Sequence, residues 1–321
     1  MSHPRYERIV QALSLREPAD MVPCYQGLFS CAHRVTGRAV ITNEDFADAV
    51  SSAERDRLCL QVVEDLIELA ERFDWSLIMV YAPFAGEDHL KVISELRRRV
   101  GGEFMIGSWV AGGVLNIPTG KTMEEFCYRI VDEPEKINAE AEIMLENANR
   151  WGQRCVDAGS ELLILANDVA FNQGSFLSPP LFSEFVTPYL RRHVEHLKRV
   201  GAWVVFHSDG NLSAVMDQIV SSGIHGLNPI DAMAGMDIAE VKRLYGDKIA
   251  LFGNVRCDLV HKGTVEEVRE SARYCLENAK KGGGLVYTCS SEIFVDSPWE
   301  NCLELESAWR KWGRYGNAMA S

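Results

Sequence analysis

The chain lacks the features that mark several common protein classes. Its nine cysteines form no CxxC pair and no even framework, which favours reduced thiols over disulfides. No apolar run approaches the roughly 20 residues of a membrane span, and the first residues lack the apolar core of a signal peptide. We therefore expect a cytoplasmic protein with no membrane partner.

Basic residues are also scarce. The sequence has 33 Lys and Arg against 46 Asp and Glu, a net charge of −13, and it contains no local basic patch. Because nucleic acids and anionic membranes are bound through basic surfaces, these partners are disfavoured. A G-x-G-x-x-G motif at a strand-to-helix turn is missing as well, which argues against a dinucleotide-binding sheet.

Hydrophobic and charged residues are present in the proportions of an ordinary globular protein, 47% and 25%. Short, β-branched apolar runs alternate with amphipathic segments, a pattern typical of a (β/α)8 barrel. We predict one domain over residues 1–321, with an excursion around 30–53 that covers the barrel mouth. A doubly wound α/β sheet is the alternative. The eight predicted strands are residues 22–27, 76–81, 104–109, 161–166, 203–207, 224–228, 249–253 and 285–289.

The most informative stretch is Val204-Val205-Phe206-His207-Ser208-Asp209-Gly210-Asn211, in which an apolar run ends in a histidine, a carboxylate and a glycine. In a (β/α)8 barrel the functional groups lie at the carboxyl ends of the strands. A structural histidine beside a helix cap is the alternative interpretation of this segment.

Other polar or aromatic residues follow the predicted strands in the same way. Asp168 is a candidate catalytic acid, base or hydrogen-bond acceptor beside His207. The candidate substrate-binding residues are Gln26, Tyr81, Trp109, Asn167 and Asn228.

An imidazole, a carboxylate and a thiolate are ordinary zinc ligands, so His207, Asp209 and Cys289 form a candidate zinc site. Only the fold can bring Cys289 close to the other two. Asp231 is a candidate fourth ligand, and a solvated turn carboxylate is the alternative for it. A buried packing role is the alternative for Cys289.

Motifs along nearly the whole chain resemble the uroporphyrinogen decarboxylase superfamily, which also contains cobalamin-linked methyltransferases. Their order runs from Glu7-Arg8-Ile9-Val10-Gln11-Ala12-Leu13, through Asn167-Asp168 and Ser178-Pro179-Pro180, to His207-Ser208-Asp209-Gly210-Asn211, Leu227-Asn228-Pro229 and Gly253-Asn254-Val255. The resemblance implies a (β/α)8 barrel, in agreement with the strand pattern.

The resemblance to true decarboxylases is incomplete. They carry an Arg-Gln-Ala-Gly-Arg-Tyr segment that binds substrate carboxylates, whereas this chain has Cys24-Tyr25-Gln26-Gly27-Leu28-Phe29. Their catalytic aspartate follows the next strand, where this chain has Tyr81-Ala82-Pro83. A porphyrinogen tetracarboxylate would lack its anchors and its acid here, so decarboxylation of that substrate is disfavoured.

The methyltransferase branch holds zinc with a His-x-Cys motif and a distant cysteine. His207 and Cys289 match that pattern, while Asp209 stands in place of the first cysteine. The resemblance implies a methyltransferase that passes a methyl group between a small-molecule donor or acceptor and cobalamin on a separate corrinoid protein. An aromatic methyl ether, and hence O-demethylation, suits the apolar strand-end residues.

Two other functions remain open from the sequence. One is a metal-free decarboxylase or lyase of a small acid, which would use Asp168, His207 and Asp209 for proton transfer. The other is a non-catalytic corrinoid- or tetrapyrrole-binding protein. The sequence leaves the direction of methyl transfer open, and it leaves a homodimer as an option.

Overall fold

A computed structural model describes residues 3–80 and 86–316 of the chain. Its main feature is a parallel seven-stranded sheet, with strands in the order β1, β2, β3, β6, β7, β8 and β9, beside a separate two-stranded hairpin of β4 and β5. The strands are Leu77–Val80 (β1), Met105–Ala111 (β2), Leu162–Ala166 (β3), Ala170–Phe171 (β4), Gly174–Ser175 (β5), Trp203–His207 (β6), Gly226–Asn228 (β7), Ala250–Phe252 (β8) and Leu285–Val286 (β9).

Helices follow the strands along the chain and flank the sheet. Two short 3-10 helices, Phe29–Cys31 and Ala232–Ala234, accompany them. The α-helices are Pro4–Leu13 (α1), His33–Thr36 (α2), Asn43–Asp48 (α3), Ser52–Arg72 (α4), Glu87–Val100 (α5), Thr122–Asp132 (α6), Pro134–Asp157 (α7), Pro179–Phe185 (α8), Thr187–Arg199 (α9), Met216–Ser221 (α10), Ile238–Tyr245 (α11), Cys257–Lys262 (α12), Val265–Ala279 (α13) and Trp299–Trp312 (α14).

Residues 22–25 close the sheet into a barrel. The carbonyl oxygen of Cys24 accepts the Ser76 N–H at 2.8 Å, just ahead of β1. On the other side, the Tyr287 N–H donates to the Pro23 carbonyl at 2.8 Å, and Cys24 pairs in parallel with Tyr287 after β9. This segment acts as the eighth strand beside the seven of the sheet. The predicted (β/α)8 barrel is therefore confirmed, and within the described residues each of the eight predicted runs overlaps one strand of the barrel wall.

Local sequence explains why the elements form where they do. The strands β1, β3 and β8 are short apolar runs, and they are buried almost throughout because helices cover the outside of the barrel while side chains fill its interior. Helix α13 begins at a capping box, in which Thr264 and Glu267 exchange side-chain and backbone hydrogen bonds. The apolar residues of α13 recur at helical spacing and face the core.

The segment after the first barrel strand packs beside the segment after the last one. The Ser30 hydroxyl donates to the Ile293 carbonyl, and the Cys31 thiol donates to the Phe294 carbonyl at 3.2 Å. These contacts lie at the start of the predicted excursion over 30–53, which contains α2 and α3. Among the helices in the described part of the chain, none combines the length and the hydropathy needed to cross a bilayer.

The closing segment is also tied to α14. The indole N–H of Trp309, a fully buried side chain, donates to the Val22 carbonyl at 2.7 Å. We predict that Trp309→Phe lowers the free energy of unfolding by about 1 to 3 kcal/mol, because it removes this hydrogen bond and leaves a void.

Thermal and urea unfolding of purified protein measure this loss. Trp312→Phe, at a half-buried position of the same helix, is the matched control and should cost clearly less. An equal or smaller loss for Trp309→Phe would show that α14 does not secure the closing segment.

Candidate functional site

Three adjacent strands end at the same level and present polar groups at one edge of the barrel. In the parallel register, His207 of β6 lies beside Ala166 of β3 and Asn228 of β7. The loops continue this pairing, since the Asn167 N–H donates to the His207 carbonyl at 3.1 Å. Asp168 and Asp209 thus each lie two residues beyond the paired strand ends Ala166 and His207. The register explains why residues 41 positions apart share one site.

Gly210 lets the loop after β6 approach the loop after β3. Its φ is +92°, and a Cβ built on it would lie 2.6 Å from the Ala170 carbonyl oxygen. A side chain would therefore be both strained and in steric conflict at this position. The glycine in the His-Ser-Asp-Gly motif serves this close approach and keeps Asp209 beside Asp168.

His207 is held by a second layer of polar side chains. Its Nδ1 lies 2.8 Å from Asn228 Oδ1, and Asn228 Nδ2 donates to the Tyr25 hydroxyl at 3.4 Å. Because the amide oxygen only accepts, the neutral imidazole carries its proton on Nδ1 and has its lone pair on Nε2. An outer hydrogen bond of this kind is the usual support of a metal-binding or proton-accepting histidine.

The Nε2 side of His207 faces carboxylates. It lies 3.9 Å from Asp168 Oδ1, an atom that also accepts the Asp209 N–H at 3.0 Å. Ligand atoms of Asp168, His207 and Asp209 all lie within 4.8 Å of one another. Within the described ranges 3–80 and 86–316, these three residues form the group of possible metal ligands that lie this close together.

Burial raises the pKa of the Asp209 carboxyl above its ordinary value, and the negative charges of Asp168 and Asp231 raise it further. The His207 imidazole acts in the opposite direction. The site therefore concentrates negative charge beyond what its one imidazole offsets, an arrangement that a cation would relieve.

A cavity of about 390 Å³, a typical volume for a small-molecule site, lies beside this cluster; His207 and Asp209 line it, whereas Asp168 is not among its lining residues. The Trp109 ring meets the His207 ring edge to face, with centroids 4.6 Å apart and planes at 71°. The predicted site residues that line the cavity are Trp109, His207, Asp209, Asn228 and Cys289.

Cys289 is on the cavity wall but lies outside the close trio. Its thiol is buried, and burial raises its pKa to about 12, so the metal-free protein holds it protonated at neutral pH. Its backbone N–H donates to Gln26 Oε1 at 2.8 Å, which anchors the loop after β9 to the loop after the first strand.

Several predicted site residues have backbone partners instead of facing the cavity. The Asn167 side chain donates to the Leu115 carbonyl at 3.1 Å, and Gln26 accepts the Cys289 N–H. Asp231 accepts from the backbone of Met233 and Ala234 through one oxygen and from Gly210 through the other. Asp231 therefore stabilises the loop, but as a buried residue with 8% exposure it is not the solvated turn carboxylate that the sequence offered as the alternative. Tyr81 lies outside the described residues.

Sequence reasoning missed several residues of the cavity wall: Tyr25, Gly27, Thr288, Ser290, Ser291 and Glu292. The sequence did contain a signal that could have indicated these residues. Tyr25 and Gly27 lie within the first predicted strand run, and the others lie directly beside Cys289 in the sequence. Only a closed barrel brings these two chain segments next to His207.

The donor set fits a divalent metal ion by its chemistry. One imidazole nitrogen with a free lone pair and two carboxylates converge at short range, and a thiol lies on the same cavity wall. Carboxylate oxygens are harder metal ligands than thiolate sulfurs, so this donor set is harder than a site built from cysteines. Zn²⁺ binds both oxygen and sulfur ligands.

Comparison with known proteins gives three findings. A family model described as Uroporphyrinogen decarboxylase (URO-D) matches residues 78–312. A curated uroporphyrinogen decarboxylase from Pseudoalteromonas translucida (strain TAC 125) is 24% identical over 224 residues, which cover 66% of this chain and 60% of that protein. The match thus spans less than two thirds of that relative. A solved methyltransferase from Methanosarcina mazei has a TM-score of 0.73 at 18% identity and covers 96% of this chain and 99% of that chain, so the two share a fold.

The repulsion around Asp209 predicts a stabilising substitution. Because the folded-state pKa of Asp209 is raised, ionising this carboxyl destabilises the folded protein. Asp209→Asn should raise the melting temperature of metal-free protein at pH 7 to 8 by about 1 to 3 °C. The gain should shrink as the pH falls towards the ordinary carboxyl range, where the wild-type side chain is protonated as well.

Melting temperatures measured between pH 4 and pH 8 check this sign. Asp48→Asn, an exposed change on α3, is the control and should leave the melting temperature nearly unchanged. A wild-type melting temperature above that of Asp209→Asn at pH 8 would contradict the charge balance described for the site.

Proposed function

Because the chain belongs to the uroporphyrinogen decarboxylase family, we propose that it is a methyltransferase of that family, which moves a methyl group between a small molecule and cobalamin on a separate corrinoid protein. The observation that carries the proposal is the composition of the cavity. Three donors of the metal-binding type, His207, Asp209 and Cys289, line it, and none of its described lining residues is a lysine or an arginine.

That composition disfavours decarboxylation of a carboxylate substrate. A polycarboxylate needs cationic anchors, which proteins usually supply as arginine. The segment 24–29, where the family resemblance places such arginines, contributes Tyr25 and Gly27 to the cavity wall. The fold shared with the archaeal methyltransferase further supports methyl transfer as the reaction class.

We propose that the metal at this site is zinc. His207, Asp209 and Asp168 would hold it, with the Cys289 thiol as a further donor. When bound, it supplies Lewis-acid polarisation of the heteroatom that gives or takes the methyl group. Asn228 keeps the proton of His207 on Nδ1, so that Nε2 is available at the site. Trp109 packs edge to face against the imidazole and so helps to fix the orientation of the His207 ring.

One observation favours a second function. His207 Nε2 and Asp168 Oδ1 lie 3.9 Å apart, too far for a direct hydrogen bond but close enough for both groups to reach one small substrate, as a metal-free lyase or decarboxylase of a small acid would need. The curated relative is a decarboxylase. The two proposals differ in their dependence on metal and on corrinoid.

The first test is methyl transfer to reduced cob(I)alamin, followed under anaerobic conditions by the absorbance change on methylation, with methyl ethers and methylated amines as donors. His207→Ala should lower both the bound zinc and the transfer rate, the rate by roughly a hundredfold or more. His33→Ala on α2, away from the cavity wall, is the matched control and should retain both.

The outcomes separate the alternatives. Zinc-dependent transfer that His207→Ala abolishes supports the proposal. Turnover of a small acid without corrinoid, unchanged by a chelator, would replace it with the metal-free lyase. Tight corrinoid or tetrapyrrole binding with no turnover by any route would replace it with the non-catalytic binding protein.

A further inference from the structure

Two thiols that the proposed reaction does not use lie in contact inside the protein. Cys31 ends the 3-10 helix that follows the first barrel strand, and Cys302 lies in the first turn of α14. The Cys302 thiol donates a hydrogen bond to Cys31 Sγ, although the two residues come from opposite ends of the chain. Both cysteines are free, and each is only 1% exposed. Closure of the barrel therefore places two reduced thiols side by side.

The contact makes the two thiols unequal in acidity. The hydrogen bond from Cys302 lowers the pKa of the Cys31 thiol, although burial opposes the change. The same hydrogen bond and burial both raise the pKa of Cys302. Burial raises the pKa of the remaining buried cysteines as well. Because the thiolate is the form that reacts with oxidants, Cys31 is the buried cysteine best suited to react first.

Cys31 also holds the loop after β9 in place. Its thiol donates to the Phe294 carbonyl at 3.2 Å, and the Ser297 N–H donates to the same carbonyl at 3.0 Å. This loop begins with Ser290 and Ser291, which line the cavity. A change at the Cys31 sulfur is therefore passed to the cavity wall through one hydrogen bond.

The cover over Cys31 is a surface segment. Phe294, whose carbonyl accepts from the thiol, is 52% exposed, and the next residue, Val295, is 55% exposed. A small oxidant needs only a local opening of this segment to reach the thiol, and local openings of exposed loops require far less free energy than unfolding.

We propose that a hydroperoxide oxidises Cys31 and Cys302 to a reversible disulfide, and that this bond releases the loop after β9. The Cys31 thiolate attacks hydrogen peroxide, the O–O bond breaks, and the leaving hydroxide takes up the proton that Cys31 has lost. The Cys302 sulfur then attacks the resulting sulfenic acid, the S–O bond breaks, and a second water leaves with the Cys302 proton. The two thiols lose two electrons, and one peroxide becomes two waters.

The disulfide changes how the loop is held. A disulfide sulfur has no hydrogen to donate, so the Phe294 carbonyl loses Cys31 as a partner. The 3-10 helix after the first strand becomes linked covalently to α14 instead. The oxidation does not depend on which reaction the cavity carries out.

Peptide mapping of the full-length protein after treatment with hydrogen peroxide tests the disulfide. The tryptic peptides that contain Cys31 and Cys302 should become joined, with the loss of two hydrogen atoms, and dithiothreitol should separate them. Each of these peptides also contains a second cysteine, Cys24 or Cys289, so variants are needed to assign the bond. Cys31→Ser and Cys302→Ser should each abolish the joined peptide, whereas Cys24→Ser and Cys289→Ser should retain it.

The wild-type protein alone can overturn the proposal. Oxidation of the exposed Cys127 shows that the peroxide treatment has worked. If Cys31 then remains reduced, or becomes a sulfinic acid without any joined peptide, the two thiols do not form a disulfide. Joined peptide in the same amount in Cys302→Ser would assign the bond to another cysteine and would also overturn the proposal.

Hydrogen exchange tests the release of the loop. Amide exchange across residues 290–297 should be about threefold or more faster in the oxidised wild type than in the reduced protein. Peroxide should leave this exchange unchanged in Cys31→Ser, because the serine hydroxyl can still donate to the Phe294 carbonyl. Unchanged exchange in the oxidised wild type would contradict the release of the loop.

Discussion

The hydrogen bonds of residues 23–25 to both neighbouring strands are the interaction on which the rest of the molecule depends. Without them the seven parallel strands would form an open, curled sheet with two unpaired edges. With them the first and last strands meet, and Tyr25 and Gln26 reach residues that lie more than two hundred positions further along the chain. Residues from both sides of this junction, between residues 23–25 and the segment after β9, line the cavity.

The junction between the first and last strands also holds His207 in place. The Tyr25 hydroxyl accepts from Asn228, and Asn228 in turn accepts from His207, so barrel closure determines which nitrogen of the imidazole faces the carboxylates. The raised pKa of Asp209 shows that this arrangement opposes the stability of the folded protein. Concentrated, poorly compensated charge in a cavity is typical of sites selected for binding or catalysis over stability.

Sequence patterns predicted the barrel well because parallel barrel strands are short apolar runs that can be recognised one at a time. They also placed Trp109, His207, Asp209, Asn228 and Cys289 near one another, since strand ends meet at one edge of the barrel. They did not predict that backbone N–H groups would occupy both oxygens of Asp231, or that Gln26 would hold the loop of Cys289. Such contacts depend on loop conformations that no strand or helix period encodes.

We propose that His207 is a ligand in a metal site that it forms with Asp168 and Asp209. X-ray absorption at the zinc edge, on zinc-loaded protein, tests it most directly because imidazole gives a recognisable scattering pattern. We expect a first shell dominated by nitrogen and oxygen, with an imidazole contribution that disappears in His207→Ala. A spectrum that is the same in the wild type and in His207→Ala would contradict it.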